Sequence, residues 1–256
     1  MCLKNSGSGG FMRLSSINNS YQSLIKVKRN TENKAFKGKI QTKVNTSPLS
    51  KMDLSEILFF SGSFNPIHNA HVTIAKNIKE KLNCKKVVLV PVYSPYHKST
   101  DLSATFDDKM KMTELAVSDL DDFAVSDIDK RANHGNSYSF NTVRKFIEEF
   151  NFNKIDKKMN FLMGADSFAG LDKWYKFQEL SKLVKFIVIT REGEENPAMS
   201  AKRLKKILPD LEYQVFNEFF DVSSTKVRDC ILNNKNPEKY LSSNVLGYIK
   251  EHNLYV

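Results

Sequence analysis

Two histidines three residues apart are the side chains of this sequence best suited to chemistry. His68 and His71 lie in SGSFNPIHNAH (residues 61–71), a small-residue turn between an apolar run and a helix-like stretch. Where such a turn ends a strand and opens a helix, backbone N–H groups and the helix dipole favour an anion. Imidazoles there can donate hydrogen bonds to phosphoryl oxygens as charge builds in a transition state. We therefore predict a phosphate site, with two surface imidazoles on a tight turn as the alternative.

A second segment of the same kind lies near the other end of the chain. DVSSTKVRD (residues 221–229) puts Ser223, Ser224 and Thr225 at a predicted helix start, with Arg228 one turn in. Hydroxyls and free N–H groups at such a start bind anions, and arginine adds a charge-assisted, two-pronged contact. Alone, this segment would be read as a helix cap with a surface arginine. Two phosphate-type segments at strand ends of one sheet favour nucleotide binding instead.

Apolar runs and amphipathic stretches alternate along the chain and would position both segments. Short continuous apolar runs are typical of buried strands, and they lie at residues 56–60, 85–92, 160–165 and 185–190; two further strands are predicted at residues 123–129 and 212–216. Helical patterns lie at residues 72–82, 109–120, 139–150 and 167–184, from about residue 223, and at 244–254. This alternation indicates a parallel sheet covered on both faces. We predict the α/β class: a Rossmann-like doubly wound sheet, with ligands at the carboxyl ends of its strands.

The first 51 residues differ in composition from the rest. Of 39 basic and 29 acidic residues, ten bases and one acid, Glu32, fall in residues 1–51, which leaves 29 bases and 28 acids in residues 52–256. The segment has no sustained apolar period, so it cannot bury enough surface to offset its chain entropy. We predict a disordered basic extension, 1–51, and a single folded domain, 52–256. The extension is interpreted as dispensable or as a misassigned translation start, with a targeting peptide or a nucleic-acid contact as alternatives.

Cysteine, histidine and apolar content narrow the class of protein. Cys2, Cys84 and Cys230 are far apart and odd in number, which gives neither metal-ligand spacing nor a disulfide framework and fits a reducing compartment. No apolar run approaches the roughly 20 residues of a membrane span. With five histidines and no cysteine or glutamate motif to complete a zinc site, we predict no protein-held metal. The expected location is cytoplasmic, or organellar if residues 1–51 are a targeting peptide.

Several segments together resemble a known family. GSFNPIHNAH with VSSTKVR resembles the nucleotidyltransferase superfamily, whose hallmarks are a GxFxPxHxxH loop and an SSTxxR helix start. Four further segments resemble those of the nicotinate-nucleotide adenylyltransferase family, in that family's order: PVYSPYHK (91–98), DIDKRANHGNSYSFNTV (127–143), GADSFAGLDKWYKFQEL (164–180) and TREG (190–193). The resemblance runs from about residue 57 through the rest of the chain and leaves out residues 1–51.

The resemblance implies adenylyl transfer from ATP to nicotinate mononucleotide with Mg²⁺, giving deamido-NAD and pyrophosphate. The acceptor's 5′-phosphate would attack the α-phosphorus in line, so the protein positions the substrates and stabilises charge. The family's catalytic positions match His68 and His71. Its ATP positions match Gly62, Ser63, Phe64, Ser224, Thr225 and Arg228. On the acceptor side, Lys98 and His97 would reach a phosphate, Asp166 would lie near the ribose, Trp174 would stack on the pyridine ring, the Tyr175 backbone would face its carboxylate, and Ser139 with Tyr138 would line the pocket.

Four positions depart from the family's pattern. Ser61 and Ala70 stand where the loop has glycines, and both residues are small enough for the loop to survive. Tyr96 replaces the second proline of PPHK, and Asn141 replaces the acid of TxDT. The last two changes bear on the acceptor side of the site and leave the ATP side as it is in the family.

Some alternatives stay open beside this assignment. Asp166 could instead cap a helix, and Trp174 could face the core from a helix. KMKMT (109–113) is similar to the KMSKS motif of class I tRNA synthetases, but it lies inside a predicted amphipathic helix and is rejected. A related transferase with another acceptor (nicotinamide mononucleotide or phosphopantetheine) and a non-catalytic nucleotide-binding protein are the rival functions. The expected partners are ATP and nicotinate mononucleotide, without nucleic acid or membrane; a homo-oligomer is left open.

Overall fold

Six parallel strands form one sheet at the centre of the protein. The computed structural model describes residue 49 and residues 52–94, 104–150, 157–190, 196–218 and 221–256, all within one compact unit. The strands are β1 Ile57–Gly62, β2 Lys86–Pro91, β3 Phe123–Val125, β4 Met159–Gly164, β5 Val184–Thr190 and β6 Tyr213–Asn217. Their order is β3-β2-β1-β4-β5-β6, and each neighbouring pair is parallel. The predicted α/β doubly wound sheet is confirmed.

The order of the strands reverses at β1, which lies between β2 and β4. Phe59 in the middle of β1 pairs with Val88 on one side and with Phe161 on the other. In doubly wound sheets, ligands bind outside the carboxyl ends of the strands where this reversal occurs. Here those ends are Gly62 of β1 and Gly164 of β4. The fold therefore places both the histidine turn and the GAD segment at the expected ligand crevice.

The strands are connected by helices on both faces of the sheet. The helices of the described residues are α1 Asn69–Lys81, α2 Phe106–Ala116, α3 Ile128–Ala132, α4 Ser139–Glu149, α5 Ala165–Ala169, α6 Phe177–Leu183, α7 Pro197–Ile207, α8 Ser224–Leu232 and α9 Ser243–Glu251. The sequence patterns did not predict α7, which starts with proline in its first turn after an Asn196 cap. They also extended β3 too far, because the Ser126 hydroxyl accepts the Ile128 N–H and turns the chain into α3.

The stretch predicted as one helix over residues 167–184 is broken in the structure. It contains the end of α5, a 3-10 helix at Leu171–Lys173, and then α6. Between the last two, Trp174 has an extended backbone (φ −74°, ψ 140°) and Lys176 a left-handed one (φ 51°). Non-glycine residues rarely adopt the left-handed region. This break, which local periodicity did not reveal, sets the direction of the Trp174 side chain.

The core is built from the continuous apolar strands. Every residue of β2 is buried, and Phe59, Phe161 and Phe186 of β1, β4 and β5 are between 0 and 2% exposed. Neighbouring rings lie 5.7 Å apart for Phe59–Phe161 and 6.2 Å for Phe161–Phe186. Strands buried on both faces have no polar alternation, as a sheet covered by two layers of helices requires.

Three predictions made outside the strands concern the N-terminal extension, the cysteines and membrane-spanning helices. Within residues 1–51 the structure describes Leu49, which is 7% exposed and whose carbonyl accepts the Met52 N–H at 3.0 Å. The rest of the predicted extension lies outside the described residues. Burial raises the pKa of the Cys84 thiol to about 11, which suits a packing role. In the described part of the chain, no helix is both long and apolar enough to cross a membrane.

Candidate active site

The turn after β1 takes its shape from Gly62 and Phe64. The Phe64 backbone is left-handed (φ 42°), and its side chain is 1% exposed. A Cβ atom on residue 62 would lie 2.8 Å from Cε1 of Phe64, so only glycine fits beside this ring. The half-buried Ser63 lies between them, and the turn continues through a cis Asn65–Pro66 peptide to the fully buried Ile67. The predicted ATP-side turn is thus anchored in the core at both ends.

His68 and His71 stand together at the start of α1. Their rings stack with centroids 3.6 Å apart and planes inclined by 25°. The backbone N–H of His68 donates to Nδ1 of His71 at 3.2 Å, so a neutral His71 carries its proton on Nε2. His68 is 4% exposed, and His71 is half-buried beside the ring of Phe64, whose centroid lies 5.2 Å away. Each imidazole carries at least one N–H donor, so the pair suits hydrogen-bond donation.

The segment at residues 221–229 packs directly against this turn. The Ser224 hydroxyl donates to the carbonyl oxygen of Pro66 at 2.9 Å, and Arg228 Nη1 donates to the carbonyl oxygen of Asn65 at 2.7 Å. These partners are 158 and 163 positions apart in the sequence. The structure therefore joins the two segments that were predicted separately as phosphate sites.

The start of α8 uses part of its own polar groups to form the helix. The Ser223 hydroxyl accepts the Lys226 N–H at 3.1 Å as the helix cap, and Thr225 Oγ1 accepts a hydrogen bond from Arg228 Nη2 at 3.1 Å. Arg228 is half-buried and Thr225 is exposed. The guanidinium is thus held on two sides, by the loop and by the helix start. A planar guanidinium fixed in this way is suited to phosphate oxygens.

Asp166 lies in the first turn of α5, just beyond the end of β4. Its carboxylate is exposed, and the capping residue of α5 is Gly164, so Asp166 is the acidic residue of the first turn and a favourable interaction with the helix dipole stays the alternative. A Cβ atom on Gly164 would lie 2.6 Å from Oδ1 of Asp166. The absence of a side chain at residue 164 therefore lets the carboxylate lie over the end of β4, beside the reversal of strand order.

Trp174 and Tyr175 occupy the break that precedes α6. Trp174 is half-buried, and its ring meets Phe161 of β4 edge-on at 6.2 Å, so it packs partly on the core without belonging to a helix. Tyr175 is 45% exposed, and its ring lies 4.8 Å from that of Tyr138. Ser139 follows Tyr138 as the first residue of α4. The structure thereby brings Tyr175 to the start of α4. The acceptor pocket itself stays a prediction.

A buried carboxylate that the sequence reasoning did not single out holds the start of α4. Asp129 is 2% exposed. One of its oxygens accepts the Tyr93 N–H at 2.8 Å and the Ser137 hydroxyl. The other accepts from Asn133 Nδ2 at 3.2 Å and from the Thr142 hydroxyl. A charge this deeply buried is tolerated because both oxygens are hydrogen-bonded.

The same network explains one departure from the family's pattern. Asn133 Oδ1 accepts the Tyr138 N–H at 3.1 Å and a hydrogen bond from Asn141 Nδ2 at 3.2 Å. Asn141 stands where the family has an acid, and an ionised carboxylate could not donate to Asn133. The spacing of Asp129, Asn133 and Ser137, four residues apart, was the available signal. It became informative only once their burial was known.

Lys109 of α2 extends this network to the end of β2. Its ammonium group donates to the carbonyl oxygen of Val92 at 2.6 Å and is 7% exposed. Burial lowers the pKa of Lys109, and the charge of Asp129 opposes this effect. Beyond this point the chain enters residues 95–103, which lie outside the described part. The phosphate contact predicted for Lys98 falls there and stays a prediction.

Comparison with known proteins places the chain in a family. Residues 59–230 match the cytidylyltransferase-like family. A Streptococcus mutans protein named "Probable nicotinate-nucleotide adenylyltransferase" is 32% identical over 220 residues, which cover 82% of this chain and 97% of that protein. A protein of the same name from Dehalococcoides mccartyi is 30% identical over 200 residues, or 76% of this chain and 94% of that protein.

The chain belongs to the nicotinate-nucleotide adenylyltransferases of the cytidylyltransferase-like family. Solved structures agree in fold. Plasmodium falciparum nicotinic acid mononucleotide adenylyltransferase complexed with NaAD is similar at a TM-score of 0.63 with 18% sequence identity, covering 78% of this chain and 96% of that one. The same enzyme complexed with APC has a TM-score of 0.61.

Two other departures from the family's loop are accommodated by the structure. Ser61 lies inside β1 and pairs with Val90 of β2, so it needs no unusual backbone angle. Ala70 is 4% exposed in the first turn of α1, where a small residue packs without strain.

The KMKMT segment lies within α2, and its Met112 is fully buried. Its assignment to an amphipathic helix is therefore confirmed.

Proposed function

We propose that this protein transfers the adenylyl group of ATP to nicotinate mononucleotide in NAD biosynthesis. An oxygen of the acceptor's 5′-phosphate forms a bond to the α-phosphorus, and the bond from that phosphorus to the β-phosphate's bridging oxygen breaks. The products are deamido-NAD and pyrophosphate. Family membership supports this reaction. Because the acceptor supplies the nucleophile, the protein's task is to position substrates and stabilise charge.

The observation that carries the proposal is the joining of two anion-binding segments at one strand end. Ser224 and Arg228 contact the carbonyl groups of Pro66 and Asn65, two and three residues before His68. A triphosphate is long enough to use both parts of such a site, whereas a single phosphate would need only one of them. The arrangement lies at the reversal of strand order, where doubly wound proteins bind nucleotides.

We assign charge stabilisation at the reacting phosphate to the histidines. The N–H of His68 orients the His71 ring through Nδ1, so that Nε2–H of His71 is the donor to an α-phosphate oxygen. His68, stacked on His71, supports this ring and contributes to binding of the triphosphate. Donors arranged in advance are worth more than donors that must reorganise during the reaction.

The remaining ATP contacts follow from the turn and from the start of α8. Gly62, Ser63 and Phe64 shape the wall along which the nucleotide lies. Ser224, Thr225 and Arg228 hold the β- and γ-phosphates through N–H groups at the helix start and the guanidinium. We expect the bound phosphates to share Arg228 with the loop carbonyl that it already holds.

The acceptor side is assigned to the residues around the break before α6. Trp174 stacks on the pyridine ring, and the backbone at Tyr175 and Ser139 donates to its carboxylate. Asp166 lies near the nucleotide ribose, and Lys98 reaches a phosphate. The contact of Tyr175 with Tyr138 and the position of Ser139 support a pocket here. The buried hydrogen bonds of Asp129 and Asn133 fix the start of α4, where Ser139 lies.

Magnesium is proposed to arrive with ATP. In the described ranges, no group of three or more His, Cys, Asp or Glu side chains could hold a metal ion, and Mg²⁺ is commonly bound through substrate phosphates and one or two carboxylates. The exposed Asp166 carboxylate at the end of β4 fits such a contact in its chemistry. The ion neutralises charge on the phosphates, while the protein's own groups orient them.

The finer aspects of the proposal concern partners and location. Solved relatives are complexed with NaAD and APC, which supports nucleotide partners for this chain. We propose a cytoplasmic protein that binds neither nucleic acid nor membrane, with the organellar alternative attached to residues 1–51. A homo-oligomer stays open. A related transferase with nicotinamide mononucleotide or phosphopantetheine is the alternative activity.

The deciding experiment is a pyrophosphate-release assay with full-length protein, MgATP and a panel of acceptors. We expect release with nicotinate mononucleotide, and a product with the mass of deamido-NAD. Release only with phosphopantetheine would assign the alternative activity. ATP binding without release for any acceptor would assign the non-catalytic alternative.

A further inference from the structure

Tyr255 contacts the turn after β1 from a segment that none of the motifs includes. Its hydroxyl donates to Oδ1 of Asn65 at 2.6 Å, across 190 positions of sequence. The side chain is 6% exposed and belongs to the apolar cluster that includes Val227 of α8 and Ile249 of α9. Packing therefore fixes the Tyr255 ring, and the hydrogen bond from its hydroxyl restrains the side chain of Asn65.

Asn65 is held through both its backbone and its side chain. Arg228 donates to its carbonyl oxygen at 2.7 Å, and Tyr255 donates to its side chain. The Ser224 hydroxyl holds the next carbonyl, that of Pro66. Three donors from residues 224–255 thus converge on two consecutive residues, which are separated from His68 only by Ile67.

Both sides of the Tyr255 contact have unusual backbone geometry. Phe64, next to Asn65, has φ 42°, and Tyr255 itself has φ 65°. Non-glycine residues keep left-handed angles only where the surrounding structure imposes them, and such residues concentrate at functional sites. A loop with an unfavourable local conformation needs outside contacts to remain in one position. The hydroxyl of Tyr255 provides one of these contacts without lying in any recognised motif.

We propose that Tyr255 is a positioning residue for the ATP site. It acts through Asn65, keeping the turn of residues 62–67 at the distance from α8 that the triphosphate requires. The kinetic consequences of this inference rest on the proposed function. Its prediction that the turn is held in one conformation rests on the geometry alone. The acceptor side is built on α4 and on the break before α6, so Tyr255 should leave acceptor binding unchanged.

Tyr255→Phe tests this proposal, because it removes only the hydroxyl and keeps the buried ring. The matched control is Tyr248→Phe, whose hydroxyl donates to Asp108 Oδ1 at 2.8 Å, away from the turn. Both variants lose one tyrosine–side-chain hydrogen bond of similar length. We expect kcat/KM for ATP to fall by roughly 3- to 10-fold in Tyr255→Phe, the scale of one neutral hydrogen bond. KM for nicotinate mononucleotide should not change, and Tyr248→Phe should leave both constants at the wild-type values.

Hydrogen exchange supplies a readout that needs no catalysis. In Tyr255→Phe, the amide of residue 67 and the amides of residues 64 and 65 should exchange faster than in the wild type and in Tyr248→Phe. Asn65→Ala should produce the same kinetic loss. Adding Tyr255→Phe to it should cause little further loss, because both substitutions remove the same hydrogen bond.

The outcomes separate failure of this inference from failure of the proposed function. Wild-type protein that makes no deamido-NAD would overturn the proposed function, while the exchange experiment would still decide the role of Tyr255. Unchanged exchange in residues 64–67 would overturn the positioning role. So would an equal loss in both tyrosine variants, or additive effects of Asn65→Ala and Tyr255→Phe, because either result indicates general stability only.

Discussion

The backbone N–H of His68 donates to Nδ1 of His71 across the first turn of α1, at 3.2 Å. This bond lets the fold select the tautomer of His71, because a ring that accepts through Nδ1 carries its proton on Nε2 when neutral. The same strand-to-helix turn offers backbone N–H groups to an anion. The His71 ring is thus oriented by the backbone of His68, three residues earlier in the same turn. The Nε2–H group of His71 can then donate to a phosphate without a change in protonation.

Replacing His71 should affect turnover far more than folding. We expect His71→Ala to lower kcat by about 10² or more, the scale of losing one donor to a transition-state oxyanion. The thermal midpoint should change little, because the side chain is only half-buried. Steady-state kinetics and a thermal melt give both quantities. His134→Ala, which removes an exposed histidine from a loop, is the control, and near-normal turnover in the His71 variant would overturn the assignment.

Arg228 should not be replaceable by lysine. Its guanidinium donates to the Asn65 carbonyl through one nitrogen and to Thr225 through another, a geometry that an ammonium group cannot reproduce. We expect Arg228→Lys to lower kcat/KM for ATP by roughly 10-fold or more, the effect of one charge-assisted hydrogen bond. Arg144→Lys, at a surface ion pair with Glu148, is the control and should have no effect. Equal kinetics in both variants would show that charge alone suffices at residue 228.

Trp174 should govern the acceptor and not ATP. Trp174→Ala should raise KM for nicotinate mononucleotide and leave ATP affinity nearly unchanged, whereas Trp174→Phe, which keeps an aromatic ring, should lose less. We also expect wild type to prefer the acid over nicotinamide mononucleotide by about 5- to 150-fold, because donors aimed at a carboxylate are imperfectly paired by an amide. The measurement is kcat/KM for each acceptor. Loss of ATP binding in Trp174→Ala would contradict this pocket.

Asp129 should contribute mainly to stability and to the order of the start of α4. Asp129→Asn keeps the shape but turns an amide group toward donors, so at least one buried hydrogen bond is lost. We expect a loss of about 2–4 kcal/mol in the free energy of unfolding, measured by denaturant titration. Asp119→Asn, at an exposed position, is the control. Equal stability of the two variants would mean that the network is not needed.

The extension should be removable up to Leu49. A chain that starts at Leu49 after an initiator methionine should keep full activity and thermal stability, because none of the motifs lies before it. Starting at Met52 removes the buried Leu49 side chain and should cost about 1.5–3 kcal/mol of stability, with activity retained. Thermal melts and turnover of both truncations measure this. A loss of activity with the Leu49 start would show that the extension takes part in function.

Local sequence patterns determined the class of fold and the position of the site within it. Five of the six strands were predicted within one or two residues of their observed bounds. Four of them appeared as apolar runs, because burial on both faces leaves a pattern that needs no knowledge of neighbours; β6 lies at the edge of the sheet, and none of its residues is buried. Both phosphate-type segments were likewise visible, since a helix start offers N–H groups whatever surrounds it. Where geometry depended on a single residue, as at Lys176 or at Ser126, the predicted helix and strand ran too far.

Tertiary structure decided which of these groups meet. Three hydrogen bonds at the site join residues between 158 and 190 positions apart: Ser224 with Pro66, Arg228 with Asn65, and Tyr255 with Asn65. No local pattern relates these positions. The burial of Asp129 is similarly a property of packing, because the same carboxylate on an exposed turn would be an ordinary charged residue. Periodicity records how each segment meets the solvent and the core, whereas a hydrogen bond between distant segments depends on the order of the strands that places them side by side.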